Sequence, residues 1–188
     1  RFRSWSMAKS VTQALVGVLA GRGLLDIDAP APVPGWQQPG DPRAAVTLDD
    51  LLHMTSGLDN ADGHEDMDSF AGRVLFGAGS RDPAAYAADV ALAYEPGSRW
   101  AYSTGTSSIV AAIAGRAMAG GARDKLAFMR SELFAPIGMT SVQPEFALSG
   151  DFVGGAFVHA TARDWARLGT LYLRDGVWEG RRILPEGW

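Results

Sequence analysis

The chain has 188 residues, 47% of them hydrophobic, with a net charge of −4 and no cysteine. That length and apolar content support a sizeable core in one domain or most of one. The acidic balance and scattered basic residues exclude a general nucleic-acid binder, and the missing thiols exclude disulfides, thiolate metal sites and cysteine nucleophiles.

In residues 7–21 the apolar positions 7, 11, 14, 15 and 18 share one helical side, with Ser6 as the predicted N-cap. Ser6, Lys9, Ser10, Gln13 and Gly17 form a narrow polar and small stripe opposite, and Gly21 and Gly23 supply the stop. The Pro-rich segment 29–42 reads as extended loop. "TLDDLLHMTSGL" (47–58) predicts a short helix capped by Thr47 and stopped by Gly57. Residues 59–82 are acidic and glycine-rich, a long excursion with one helical turn, of the kind that walls a binding site. Helix is predicted over 82–93, then a turn and a short extended piece in "EPGSRWAYS". The helix predicted over 104–121 is rich in small residues, which favours close packing; another over 123–134 ends at Pro136. Residues 160–176 read as an amphipathic helix and 176–185 as a hairpin.

Helices dominate and strands are short and few, so this is not an alternating βαβ chain with a Rossmann-type sheet. No GxGxxG or Walker-type loop cradles a phosphate, and no apolar run reaches the ~18 residues of a membrane span. The ends, "RFRSW" and "ILPEGW", both read as cut, so the expectation is a fragment.

The stretch "SMAK" carries the chemistry. A helix start capped by Ser6 favours an acid three residues on, yet Lys9 stands there, a cation opposed by the helix dipole. By itself Ser-x-x-Lys is weak, since about one chance match is expected in a chain this long. Its plain reading is a cap and a solvated charge. The chemical reading is a nucleophile with a lysine one turn away, where the helix end favours the neutral amine of a general base. Tyr102 alone reads as a half-buried strand tyrosine, and Trp100 as core filling or as a ring over substrate. His53, His64 and His159 share no metal-ligand spacing; His53 reads as a packed helix histidine and His159 as a buried structural one or a cleft residue. The acidic stretch 59–68 reads as a solvated loop without EF-hand spacing.

The order of "SMAKS" (6–10), "LLHMTSGL" (51–58), "YEPGSRWAYSTG" (94–105), "LFAPIGM" (133–139) and "ATARDWARLGTLYLRDGVWEGRRILP" (160–185) resembles the serine β-lactamase-like, penicillin-recognising hydrolases. The likeness is to the branch of class C-type enzymes, esterases and 6-aminohexanoate-oligomer hydrolases. It implies an α+β fold of the serine β-lactamase/DD-peptidase type, here a helix-rich piece without the N-terminal strands and the C-terminal part of the antiparallel sheet. Residues 1–188 are then one incomplete domain: 1–58 the nucleophile helix and the next short helix, 59–150 a helical subdomain with the tyrosine motif, 151–188 a helix and hairpin returning to the sheet.

The resemblance implies Ser6 as the acylated nucleophile, Lys9 as its proton partner and Tyr102 as the third catalytic group, with Thr104, Trp100 and His159 toward the substrate. Tyr102-Ser103-Thr104 stands where class C enzymes have Tyr-x-Asn, and Thr104 lacks the amide that many relatives carry. That departure favours a carboxylesterase or linear-amide hydrolase over a β-lactamase or D-alanyl peptidase; a ligand-binding member without turnover is a further alternative, and a helical interaction domain with an accidental Ser-x-x-Lys the rival from another class. The third motif of the family, on a cleft strand, is expected outside the chain, so the chain by itself is expected to be inactive. No metal or cofactor is implied; the partner is a small ester or amide substrate. Oligomeric state and localisation are left open.

Overall fold

The computed structural model describes residues 1–63 and 66–188. A 3₁₀ turn, Trp5–Met7, leads directly into helix α1, Ala8–Gly21. Met7 holds the cap position and makes no side-chain cap bond, so Ser6 is not the N-cap expected from its sequence position. The anchoring falls to Ser4 instead. Its N–H donates to the Val158 carbonyl at 2.8 Å, and its Oγ accepts the Val158 N–H at 3.0 Å and donates to the Ala156 carbonyl at 2.9 Å. Trp5 then turns the chain in the left-handed region, φ 46, a conformation that costs a bulky residue energy and persists only where its surroundings hold it. Ser6 is thereby left with its hydroxyl free of capping duty.

Helix α1 runs between two cores. Ala8, Val11, Leu15 and Val18 pack in one, and Val16 and Leu19 in the other. The second long helix, α5 (Thr104–Met118), is buried from Thr104 through Gly115. Its small residues permit the close approach expected of them: a Cβ on Gly105 would lie 2.6 Å from the Phe70 ring. Around α5 sit α2 (Leu48–Leu52), α3 (Phe70–Leu75) and α4 (Pro83–Ala88), sharing the second core with Trp36. The first core is completed by α6 (Ala122–Met129), its π-helical extension Arg130–Phe134, and α7 (Ala162–Leu173).

Two predicted helices are shorter than expected, each for a tertiary reason. Thr47 and Asp50 close a capping box at the start of α2, but the helix ends at Leu52 and Met54 turns at φ 59. Gly57, at φ +75, is not a helix stop; a Cβ there would lie 2.2 Å from the Tyr94 carbonyl oxygen, so glycine lets segment 57–58 lie against segment 92–94. Helix α4 ends at Ala88 because its carbonyl accepts from Trp36 Nε1 and Arg43 Nη1, both at 2.9 Å. The excursion 59–82 holds α3, and its His64 lies outside the described residues.

The strands are few and short, as expected. β1 (Phe2–Arg3), β2 (Gln143–Pro144) and β3 (Val158–Ala160) form an antiparallel sheet in the order β1-β3-β2, with Arg3 and Gln143 both opposite His159. β4 (Val177–Trp178) and β5 (Arg181–Arg182) make the predicted hairpin. Among the described residues no helix is long and apolar enough to cross a membrane.

The junction of β2, β3 and α7 carries a buried carboxylate. Asp164 is 2% exposed and accepts from the Ser141 N–H at 2.8 Å, Ser141 Oγ at 2.6 Å and Arg167 Nη1 at 2.8 Å. Burial alone raises its pKa, but the Ser141 and Arg167 hydrogen bonds outweigh this and hold the carboxyl below its ordinary value. Asp164→Ala is expected to cost about 1–3 kcal/mol of stability at pH 7, because it strands these donors. A depressed folded pKa contributes stability above the unfolded value of about 3.9 that is lost as pH falls through the folded value. Urea unfolding of both proteins should therefore show the gap narrowing at acid pH.

Candidate active site

Ser6 and Lys9 lie one turn apart at the start of α1, and Lys9 Nζ is 3.2 Å from Ser6 Oγ. The same amine is 3.1 Å from Thr104 Oγ1 and 2.7 Å from the Gly155 carbonyl oxygen. The ring of Tyr102 lies beside it, centroid 4.8 Å from Nζ. Thr104 is the first residue of α5, and Ser103 caps that helix by accepting the Thr106 N–H at 2.9 Å. Cap chemistry thus delivers the Tyr102–Thr104 segment to the nucleophile end of α1. Gly155 comes so close that a Cβ would lie 2.8 Å from the Thr104 carbonyl oxygen, so only glycine brings its own carbonyl to Lys9.

The chain's two lysines differ in electrostatic setting. Lys125 is buried and pairs with Asp151 at 2.6 Å. Among the described residues Lys9 forms no ion pair, and its hydrogen bonds go to two hydroxyls and a carbonyl.

Ser6, Tyr102, Thr104, Asp62 and Gly155 line one cavity of about 590 Å³, together with Trp5, Leu75 and Phe76. Two aromatic rings stand on its apolar wall, Trp5 and Phe76, which meet edge-on at 6.4 Å; Trp5 also meets the Phe157 ring at 6.1 Å. The structure therefore brings Ser6, Lys9, Tyr102 and Thr104 together. The Tyr102 hydroxyl has no hydrogen-bond partner among the described residues, so its contact with Lys9 is through the ring.

Trp100 and His159 are not brought in. Trp100 is 65% exposed, its ring 6.3 Å from that of Tyr102, and it neither lines the cavity nor fills a core. On β3 the neighbours Val158 and Ala160 are buried, so strand alternation turns His159 the other way, where its Nε2 lies 2.5 Å from Glu145 Oε1. His53 is not packed either; it is exposed at the end of α2, with Nδ1 3.0 Å from Asp49 Oδ1. Among the described residues no group of three or more His, Cys, Asp and Glu is arranged to hold a metal ion.

Two site residues carried no sequence reading. Gly155 is signalled only by the Gly-Gly pair at 154–155. Asp62 is hidden in an acidic stretch that read as a solvated loop. That reading fails at Asn60, which is buried and bonds Thr106, and at Asp62, which bonds Thr104.

Helices packed around a short antiparallel sheet, with a Ser-x-x-Lys turn meeting the start of a buried helix in one cleft, are the architecture of the serine β-lactamase and DD-peptidase type. The chain belongs to the Beta-lactamase family, which it matches over residues 1–188. Its fold is shared by a candidate 6-aminohexanoate-dimer hydrolase from Bacillus anthracis, at TM-score 0.78 and 24% identity, covering 96% of this chain and 50% of that one. It is shared also by a D-stereospecific amidohydrolase from Streptomyces sp., at TM-score 0.67 and 19% identity, covering 98% and 62%. A third is the D-amino acid amidase of Ochrobactrum anthropi SV3, at TM-score 0.63 and 18% identity, covering 98% and 59%. The chain thus spans between half and two thirds of the length of these structures. No curated protein matches it significantly.

Proposed function

We propose that this chain carries the nucleophile and general base of a serine hydrolase that cleaves an ester or a linear amide through an acyl-enzyme. The observation that carries the reading is the 3.2 Å approach of Lys9 Nζ to Ser6 Oγ, where Ser6 and Tyr102 line one cavity. Lys9, in its neutral form, takes the hydroxyl proton as Ser6 Oγ attacks the substrate carbonyl carbon. The tetrahedral oxyanion is held by the Ser6 N–H and a second backbone N–H. Lys9 or Tyr102 returns the proton to the leaving alcohol or amine, and the carbonyl–heteroatom bond breaks. Water, deprotonated by the same pair, then releases the acid and regenerates Ser6.

In this reading segment 1–58 supplies Ser6 and Lys9, segment 59–150 supplies Tyr102 and Thr104, and segment 151–188 supplies the Gly155 carbonyl. Preference for esters and linear amides over β-lactams is supported by Thr104, which carries no side-chain amide to orient a substrate.

The test is covalent labelling of the full-length protein with a fluorophosphonate, followed by peptide mass spectrometry. A single adduct on Ser6 is expected. An intact, folded protein that stays unlabelled would refute the nucleophile. Turnover of short p-nitrophenyl esters, nitrocefin and a linear amide dimer then sorts the substrate class, with nitrocefin expected to be the poorest.

A further inference from the structure

We infer that Asp62 is a positioning residue that sets the direction of the hydrogen bonds around Lys9 and so aims its lone pair at Ser6. The inference rests on the nucleophile–base reading above and deepens it. Asp62 lines the cavity and touches the reacting pair only through Thr104.

An ionised carboxylate can only accept. Thr104 Oγ1 lies 2.7 Å from Asp62 Oδ2, so the single hydroxyl proton of Thr104 is committed to that oxygen. What Thr104 Oγ1 presents to Lys9, at 3.1 Å, is a lone pair, and Lys9 must donate there. The Gly155 carbonyl, at 2.7 Å, also accepts only. A neutral amine has two N–H bonds and one lone pair; these two obligatory acceptors take both N–H bonds. The remaining direction is Ser6 Oγ, at 3.2 Å, and the lone pair faces it. Ser6 O–H to Lys9 N is the geometry that removal of the hydroxyl proton requires.

Asp62 is itself held in register. Its Oδ1 accepts the Thr104 N–H at 2.7 Å, and its own N–H donates to the Tyr102 carbonyl at 3.0 Å. It clamps Tyr102-Ser103-Thr104 from both ends. The clamp also predicts what an amide does in its place. The Thr104 N–H can only donate, so in Asp62→Asn the carboxamide oxygen must stay on it and the NH₂ must face Thr104 Oγ1. The threonine hydroxyl then turns its proton toward Lys9 and competes with Ser6 for the lone pair. One near-isosteric change reverses one hydrogen bond and occupies the base.

The test compares Ser6 labelling rates and ester turnover in the full-length wild type, Asp62→Asn, Thr104→Val, the double variant and Thr104→Ser. Asp62→Asn is expected to slow both labelling and kcat at least about tenfold, a fraction of the 10²–10⁴ a general base supplies, with KM changed less than about twofold. Thr104→Ser, which keeps the hydroxyl, should lose at least about tenfold less rate than Thr104→Val, which removes it. In the Thr104→Val background, where no hydroxyl remains to reverse, Asp62→Asn should have no further effect; a merely structural clamp through the backbone would still cost rate there. Full labelling of Asp62→Asn at the wild-type rate, or additive losses in the double variant, overturns the inference while leaving Ser6 as nucleophile. A wild-type protein that never labels on Ser6 removes the underlying reading, and this one with it. Should Asp62→Asn fold poorly, the Thr104→Ser and Thr104→Val pair decides: equal rates in those two variants refute the role of the hydroxyl.

Discussion

Ser6→Ala in the full-length protein is expected to lower kcat by several orders of magnitude, up to about 10⁶, the loss seen when a serine nucleophile is removed. The substitution deletes one exposed oxygen that caps no helix, since the turn is anchored by Ser4 and the cap position belongs to Met7. Lys9 keeps its bonds to Thr104 and Gly155. Stability should therefore stay within about 0.5 kcal/mol of wild type, the range of surface substitutions away from special features. Steady-state ester hydrolysis and a thermal melt on the same samples separate the two effects. Near-normal turnover by the folded variant would end the proposal, because among the described residues the one other hydroxyl hydrogen-bonded to Lys9 is that of Thr104, whose proton is committed to Asp62.

Lys9→Met and Lys9→Arg together test the base. Met keeps the length of the side chain without a nitrogen, and Arg keeps the charge in a group that does not give up its proton. Both should reduce kcat by about 10²–10⁴, the range ascribed to general-base catalysis, and both should slow fluorophosphonate labelling of Ser6 in parallel. If Lys9 served only as a fixed charge, Arg would largely rescue Met. Turnover by Lys9→Arg within tenfold of wild type is the result that would remove Lys9 as the proton acceptor. The pair also reads the cost of the Gly155 carbonyl, which loses its 2.7 Å donor in Lys9→Met and can regain one in Lys9→Arg.

Two kinds of reading agree with the geometry: those resting on short separations in the chain, and the placement of Tyr102 and Thr104 by the order of the family's motifs. Ser6 and Lys9 are three residues apart, so one helical turn brings them together whatever the rest of the molecule does. Thr47 and Asp50 close their capping box for the same reason. Side-chain direction had no such signal at His159 and Trp100. His159 and Trp100 are near neighbours of site residues in sequence, yet strand alternation turns the first to Glu145 and the second stays in solvent. Ser6 read as a cap because Ser before a helix usually is one; a 3₁₀ turn and the Ser4 anchor to β3 changed its role.

The sequence by itself determined the helix-rich α+β class, the family, and the local Ser6–Lys9 pairing, since periodicity, helix signals and motif order are written in consecutive residues. Only the tertiary structure decided that the Gly155 carbonyl and Asp62 join that pair. The Gly155 carbonyl reaches Lys9 from 146 residues away, and Asp62 reaches Thr104 from 42. Such contacts depend on how close two backbones pass and on which hydroxyl proton is already spent. Close passage at Gly155 requires the missing Cβ, and the spent proton of Thr104 requires the Asp62 carboxylate. Neither condition has a local signature, because each is met by residues that come together only when the two cores pack on α1.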